Sequence, residues 1–237
     1  MRLPKNYLAQ RKVLTDKLSP AQSPLKVTLA AKAGDNHQVY IYDEIGVWGV
    51  NSSDFVNAFK ALPDGAVDIH INSPGGDVFD GLAIYNTIKH ATQETTVYVD
   101  GLAASAASFI AMAADKVVMG RNSRMMIHDA STMTYGNAAD HDETSAWLNE
   151  ESDNLADIYA QRAGGEASDW RALMRAETWY GAEAAVEAGL VDSVQGSENV
   201  TAPGLAALAL VKETISEPSE NEIDYDSITR ALKEAFQ

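Results

Sequence analysis

The chain of 237 residues contains no cysteine, few basic side chains and no long uninterrupted hydrophobic run. The absence of cysteine excludes disulfides, zinc–thiolate sites and a cysteine nucleophile, so any covalent chemistry must use another side chain. No apolar run reaches the length of about 18 residues that crosses a bilayer. Residues 1–20 are basic but lack the continuous apolar centre of a secretory signal. These absences favour a cytoplasmic protein that neither spans nor binds a membrane.

Basic residues are scarce relative to acidic ones, with 18 Lys and Arg against 34 Asp and Glu and a formal net charge of -16. Proteins that bind nucleic acid use clustered Lys and Arg to neutralise phosphates, so a nucleic-acid partner is not expected. Neutral or basic polypeptides are easier to accommodate. A net charge of this sign also keeps a protein soluble without any binding role.

Short strand-like runs alternate with helical periodicity along the chain, which is typical of an α/β domain. The predicted strands are 27–32, 39–42, 67–71, 95–99, 116–119, 125–128 and 190–194. The predicted helices are 52–62, 77–90, 109–113, 138–162, 170–174 and 182–188. Helix 138–162 is the longest of these and follows the candidate histidine described below.

Composition divides the chain into three segments. Residues 1–24 are predicted to be an N-terminal extension, and residues 25–195 one catalytic domain that is long enough for a sizeable core. Residues 196–237 form an acidic tail. We expect this tail to be flexible or to dock on a partner.

A small-residue run at 101–108 contains the candidate nucleophile, Ser105. The run lies between a predicted strand and a predicted helix, and the amide groups at a helix N-terminus favour developing negative charge. A serine there is a candidate for covalent catalysis. Spacing alone also allows Ser105 and Ser108 to be small packing residues.

A second turn and a histidine complete a candidate site. The turn 72–76, with the sequence NSPGG, follows a predicted strand and opens a helix. Its glycines can present N–H groups to a carbonyl oxygen, as an oxyanion hole does, although such a sequence also forms ordinary turns. His128 ends an apolar strand, where it is a candidate general base or a buried core histidine.

An acidic residue is needed to orient the imidazole and to stabilise its charged form. We predict Glu177 for this role, ahead of Asp129 and Asp169. Glu177 also fits a surface carboxylate near the start of the next helix. The other histidines have no comparable setting, and no metal site is predicted.

Four motifs, taken in chain order, resemble the Clp family of serine peptidases. They are INSPGG at 71–76, GLAAS at 101–105, MIH at 126–128 and EAAVEAGLVD at 183–192. The similarity spans about 39–194. It implies a Clp/crotonase-type fold of repeated β-β-α units with a long helix after the catalytic histidine, rings that enclose the active sites, and hydrolysis of peptide bonds.

The resemblance also implies a role for each motif position. Ser105 falls on the family's serine and His128 on its histidine, and no cofactor or metal is implied. An ungapped alignment back from Trp179 places Glu177 where the family usually has aspartate. The oxyanion amides fall on Gly75 or Gly76 together with Ala106.

Other stretches are most similar to the Clp-related head maturation (prohead) proteases of tailed phages and prophages. They are VWGV at 47–50, GDVFDG at 76–81, DGLAAS at 100–105 and AETW at 176–179. This similarity implies an ATP-independent endopeptidase that cuts scaffold and capsid proteins, in the host cytoplasm or the procapsid interior. The implied partners are those polypeptides and further copies of the chain in a ring.

Several alternatives remain open at this stage. One is a housekeeping Clp proteolytic subunit that works with an ATPase unfoldase. A second is an acyl-CoA enzyme of the crotonase type, which shares the fold and does not need Ser105. A third is an assembly protein without catalytic activity. A Ser–Lys peptidase would need a lysine near Ser105, and the nearest, Lys89 and Lys116, lie in no suggestive motif.

Overall fold

The computed structural model describes residues 26–28 and 36–196 of the chain. The predicted N-terminal extension, 1–24, lies outside the described residues, as does the predicted acidic tail beyond residue 196. The three-segment organisation therefore stays a prediction. No helix within 36–196 combines the length and apolar character needed to cross a membrane.

Strands and helices alternate along the described part of the chain. The strands are β1 Lys26–Thr28, β2 His37–Ile41, β3 Val67–Ser73, β4 Thr95–Ala104, β5 Lys116–Met119, β6 Arg124–Ile127, β7 Thr178–Gly181 and β8 Ser193–Val194. The helices are α1 Ser52–Lys60, α2 Val78–Lys89, α3 Ala106–Ala111, α4 Ala138–Ala163, α5 Ala167–Arg175 and α6 Ala182–Glu187.

The main sheet has the strand order β1-β2-β3-β4-β5-β8. Its strands from β2 to β8 are parallel, and β1 runs antiparallel to β2. The helices that connect the parallel strands cover the sheet, as expected for an α/β protein. The predicted α/β class is confirmed, and the finer description as repeated β-β-α units stays a prediction.

The central strand β4 is long enough to pair with two different strands on one side. Its first half pairs in parallel with β5, from Thr96 opposite Lys116 to Val99 opposite Met119. Its second half pairs in parallel with β6, which also pairs antiparallel with β7. The chain therefore has a small extension of the sheet at the carboxyl end of β4, and the candidate residues lie there.

The core lies on one face of the sheet, where every second residue of β2, β3 and β4 is buried. These side chains are at most 1% exposed and comprise Val39, Ile41, Ile69, Ile71, Val97 and Val99. Phe55 of α1 and Ile84 of α2 belong to the same hydrophobic cluster. Burial of a large apolar side chain contributes about 1.5–3 kcal/mol, so this face fixes the register of the strands.

Most boundaries differ from the sequence prediction by one or more residues, and two of these differences lie at the candidate site. Strand β4 continues to Ala104 instead of ending at Val99, and α3 begins at Ala106 instead of residue 109. Glycine and alanine have low strand propensity, so the run 101–104 does not look like a strand. Pairing with β6 overrides that local preference.

The long helix α4 agrees closely with its prediction, and its ends have clear causes. Asn137 accepts a hydrogen bond from the Asp140 N–H, and the Asp140 side chain accepts one from the Asn137 N–H. This reciprocal pair satisfies amides that a helix start leaves unbonded. Gly164 ends the helix with a φ of 81°, a conformation that favours glycine.

Candidate active site

Ser105 lies in the tight connection between β4 and α3. Its backbone has φ 53° and ψ -124°, an unusual conformation for a residue with a side chain. Such a conformation costs about 1–3 kcal/mol, and the surrounding structure must hold it in place. The Ser105 N–H donates to the Met126 carbonyl at 2.9 Å, which fixes the turn against β6. The connection exposes the Ser105 side chain to a cavity instead of burying it in the core.

His128 follows the last residue of β6 and lies beside Ser105. The parallel pairing of Ala104 with Met126 brings the carboxyl ends of β4 and β6 together. The two side chains meet there, with 2.7 Å between His128 Nε2 and Ser105 Oγ. Both residues are half-buried. This distance allows an imidazole to accept the proton of a serine hydroxyl.

The glycine turn after β3 lies directly against the Ser105 connection. Gly75 has a φ of 92°, and a Cβ at this position would lie 2.5 Å from the Ala104 oxygen and 2.7 Å from the Ala106 nitrogen. Only glycine permits so close an approach. The Ala106 N–H has no acceptor within 36–196, so it remains available to a ligand.

The two glycines of the turn differ in how their N–H groups are used. The Gly75 N–H donates to the Ser73 hydroxyl at 3.1 Å. The Gly76 N–H has no acceptor in the described part of the chain, and Gly76 lines the same cavity as Ser105. Of the two predicted alternatives, Gly76 is therefore the better placed partner for Ala106.

Glu177, the predicted acidic partner of the imidazole, is near His128 in the sheet but is not hydrogen-bonded to it among the described residues. It directly precedes β7, where Thr178 pairs with Ile127, so Glu177 and His128 lie at the same end of one antiparallel ladder. Glu177 is exposed and has a φ of 50°. Its carboxylate accepts a hydrogen bond from Trp179 Nε1 at 3.3 Å. Among the described residues, no hydrogen bond joins the Glu177 and His128 side chains.

The weaker acidic candidates are placed elsewhere. Asp129 accepts two hydrogen bonds from Arg171, with 2.8 Å from Nε to Oδ1 and 3.0 Å from Nη2 to Oδ2. Asp169 lies in the first turn of α5. Neither carboxylate bonds to His128 within the part of the chain that the structure covers. The site therefore brings Ser105, His128 and the glycine turn together, and among residues 36–196 no acidic side chain is hydrogen-bonded to the imidazole.

A cavity of about 280 Å³ opens beside Ser105 and His128. Its apolar lining includes Val78, Phe109, Trp147, Leu155 and Tyr159. Glu44 lies on its rim, where burial and the neighbouring Asp43 raise the pKa of the Glu44 carboxyl. The lining combines apolar and polar groups, so the cavity has room and contacts for a side chain of a bound ligand next to Ser105.

Two residues that the sequence did not identify as part of the site, Ser108 and Tyr159, form a chain of hydrogen bonds to the backbone of Ser105. The buried Tyr159 hydroxyl lies 2.7 Å from Ser108 Oγ, and Ser108 Oγ donates to the Ser105 carbonyl at 2.6 Å. Burial is the main cause that raises the pKa of Tyr159, so this phenol stays neutral. Helical spacing in α4 indicated that Tyr159 faces the core, but no pattern in the sequence indicated its hydrogen bond to Ser108.

The comparisons with known proteins agree with this geometry. The Clp protease family profile matches residues 32–198, which is more than half of the chain. The ATP-dependent Clp protease proteolytic subunit of Deinococcus radiodurans is 32% identical over 137 residues, or 56% of this chain and 66% of that protein. The ATP-dependent Clp protease proteolytic subunit 1 of Protochlamydia amoebophila is 36% identical over 174 residues, or 69% of this chain and 82% of that protein.

The parallel sheet, the serine in a strained turn and the adjacent imidazole together define an α/β protein with the geometry of a serine hydrolase. The chain belongs to the Clp protease family, whose peptidases are of the serine type.

Proposed function

We propose that this chain is a serine endopeptidase in which Ser105 is the nucleophile and His128 the general base. The distance of 2.7 Å between His128 Nε2 and Ser105 Oγ carries the proposal. A core histidine in a packing role has no need to contact a strained, cavity-facing serine. A crotonase-type reaction would not need this contact either.

In the first half of the reaction, His128 takes the Ser105 proton as Ser105 Oγ attacks the scissile carbonyl carbon. The carbonyl oxygen gains negative charge, and the N–H groups of Gly76 and Ala106 are the donors that we assign to it. Removal of one such donor from a serine peptidase costs about 3 kcal/mol in the barrier. His128 then gives its proton to the leaving amine, and an acyl-enzyme remains on Ser105.

In the second half, His128 accepts a proton from water, and the resulting hydroxide attacks the acyl carbon. The second tetrahedral intermediate collapses, Ser105 recovers its proton from His128, and the carboxylic product leaves. A protonated His128 cannot begin either half. The rate should therefore fall when acid protonates the base.

We assign Glu177 the role of orienting and stabilising the His128 imidazolium, a role that the alignment supports. This role requires the Glu177 side chain to leave Trp179 and to turn toward the ring. Glu177 is exposed, so core packing does not hold its side chain beside Trp179. The distance between the ring and the Glu177 carboxylate in an inhibitor-bound structure would test this assignment.

The direct test is labelling with a fluorophosphonate, which forms a covalent bond to an activated serine and releases fluoride. Wild type and Ser105→Ala are compared by intact mass, and both are then incubated with casein. One adduct on wild type, none on Ser105→Ala and a parallel loss of digestion are expected. Ser145→Ala is the control, because it removes the exposed hydroxyl of another serine and leaves Ser105 and its hydrogen bonds in place.

Either of two results would contradict the proposal. Equal labelling of wild type and Ser105→Ala would show that the probe reacts elsewhere. An absence of labelling in folded, assembled wild type would favour the crotonase-type or non-catalytic alternatives, which binding of a CoA thioester would then separate.

At a finer level, we propose that the chain is an ATP-independent prohead protease that assembles into a ring and cuts scaffold and capsid proteins. The support is the similarity of four stretches, including 76–81 and 176–179, to the head maturation proteases. Residues 196–237 would then be a flexible extension of a catalytic unit at 25–195. A co-expressed scaffold protein that the active enzyme leaves intact would count against this assignment.

The housekeeping alternative is retained because both relatives are named as proteolytic subunits of an ATP-dependent protease. The two functions differ in what folded substrates require. A prohead protease should cut its scaffold without nucleotide. A housekeeping subunit should degrade a folded substrate only when an ATPase unfoldase and ATP are added.

A further inference from the structure

A buried arginine lies behind the candidate active site. Arg171, in α5, is 5% exposed and donates to three residues on two other parts of the chain. It forms the two bonds to Asp129, a bond from Nη1 to Asp153 Oδ1 at 2.5 Å, and bonds from Nη2 and Nη1 to the side chain and backbone oxygens of Asn149 at 3.0 and 3.5 Å. The fork of Arg171 therefore ties the residue after His128 to helix α4.

The next residue along the chain is held to the same helix. The Ala130 N–H donates to Ser152 Oγ at 3.0 Å, and Ser152 is 1% exposed. Residues 129–132 line the cavity beside Ser105. Two buried polar anchors thus hold the segment that carries His128 and forms one wall of the cavity.

We infer that Arg171 is a positioning residue that acts through Asp129 to hold His128 within reach of Ser105 and to hold the 129–132 wall in place. A guanidinium that binds a carboxylate with two parallel bonds fixes both the position and the orientation of its partner. Strand pairing ends at Ile127, so it does not fix the residues beyond β6. Beyond Ile127, the two hydrogen bonds from Arg171 to Asp129 hold the chain in position.

The chemistry of the pair explains why arginine is required. Lysine offers one compact ammonium and cannot bind Asp129 and Asp153 in the same geometry. Hydrogen bonding to Asp129 is the main cause that raises the pKa of Arg171, so the guanidinium stays charged. The Arg171 guanidinium therefore keeps its positive charge over the working pH range.

The structure provides a matched control within the same cluster. Asp129 and Asp153 both pair with Arg171, but only Asp129 is adjacent to His128 in the chain. Asp129→Asn and Asp153→Asn each remove one negative charge from the cluster and keep the size of the side chain. Asp129 accepts two bonds from Arg171 and Asp153 accepts one, so both substitutions weaken the cluster, but only Asp129→Asn acts on the residue next to His128.

The inference rests on the proposed function, so the experiment needs a readout that does not depend on catalysis. The rate of fluorophosphonate labelling is measured against probe concentration and pH for wild type, Asp129→Asn, Asp153→Asn and Arg171→Lys. The ¹³C–¹H signal of the His128 ring, assigned by its loss in His128→Asn, is recorded for the same proteins. Thermal unfolding shows that each variant is folded.

We expect Asp129→Asn and Arg171→Lys to lower the limiting labelling rate by on the order of a hundredfold, as a displacement of about 1 Å does, and to shift the His128 signal. Asp153→Asn should keep both at the wild-type values. In the double variant Asp129→Asn/Arg171→Lys, the loss should equal that of one single variant, because both act through one contact.

Three outcomes would overturn the inference. One is a His128 signal and a labelling rate that Asp129→Asn leaves unchanged. Another is an equal effect of Asp153→Asn and Asp129→Asn. The third is a double variant whose losses multiply. If wild type is not labelled at all, the proposed peptidase function fails, and the His128 signal alone decides whether Arg171 positions this ring.

Discussion

Substitution of Gly75 by alanine probes the closest contact between the glycine turn and the nucleophile. The φ of 92° at Gly75 is one that residues with a Cβ rarely adopt, and the backbone cost alone is about 1–3 kcal/mol. The added Cβ would also lie 2.5 Å from the Ala104 oxygen, 2.7 Å from the Ala106 nitrogen and 2.7 Å from Ser105 Cβ. Rotation of a side chain cannot relieve these contacts, because they involve backbone atoms and a Cβ.

The size of the expected displacement follows from these distances. Ordinary contacts of a Cβ begin at 3.4 Å. The two backbones must therefore separate by about 0.7–0.9 Å. Such a backbone shift costs about a further 1–3 kcal/mol of unfolding free energy. The separation moves Ser105 and the Ala106 N–H away from Gly76, so the oxyanion donors no longer converge. We expect labelling to slow by about 100-fold to 1,000-fold.

Gly164→Ala is the control, because Gly164 has a φ of 81° and no heavy atom within 4 Å of an added Cβ. It carries the backbone cost without the collision and lies at the end of α4. Urea unfolding should show a larger loss of unfolding free energy for Gly75→Ala than for Gly164→Ala. Only Gly75→Ala should slow fluorophosphonate labelling. A wild-type labelling rate in folded Gly75→Ala would refute the assignment of this turn to the active site.

Three further predictions concern carboxylates. Glu177→Ala should slow labelling by as much as about 10,000-fold, and an unchanged rate would remove Glu177 from the proposed triad. Burial is the main cause that raises the pKa of Glu151, so ionisation opposes folding at neutral pH. Glu151→Gln should therefore raise the melting temperature at pH 7. This gain should vanish as the pH falls below the usual glutamate range, where Glu151 is protonated as well. A gain that persists at such a pH would show that burial of the charged carboxylate is not its cause. Asp192→Ala removes the carboxylate oxygen Oδ2 that accepts from the buried Val117 N–H, with 2.6 Å between the nitrogen and the oxygen. Urea titration should show a loss of about 1–3 kcal/mol of unfolding free energy. No loss would show that water replaces the carboxylate.

The elements with strong local signals were predictable from the sequence. Helix α4 has a long amphipathic stretch with a capping residue before it and glycine after it, and its observed bounds agree with the prediction to within one residue. Strands β3 and β5 place valine or isoleucine at most of their buried positions, and both were predicted. In each of these segments, local preference and tertiary environment favour the same structure.

The elements around the site were harder because tertiary pairing determines them. The run 101–104 has the composition of a loop or a helix start, yet it forms the end of β4 through its pairing with β6. Strand β7 has four residues and was not predicted, because its pairing with β6 joins segments about 50 residues apart. The Asp129–Arg171 pair left no signal in the sequence, since neither residue belongs to a motif.

The difference between the nucleophile–base pair and the third carboxylate follows from what fixes each of them. Ser105 and His128 both follow paired strands, and the hydrogen bond from the Ser105 N–H to Met126 locks their relative position. Glu177 is exposed, lies just outside its strand and has a positive φ. Within residues 36–196, its side chain is hydrogen-bonded to Trp179 alone. The fold thus brings the proposed nucleophile and base together, whereas the proposed third carboxylate is directed by an exposed side-chain contact.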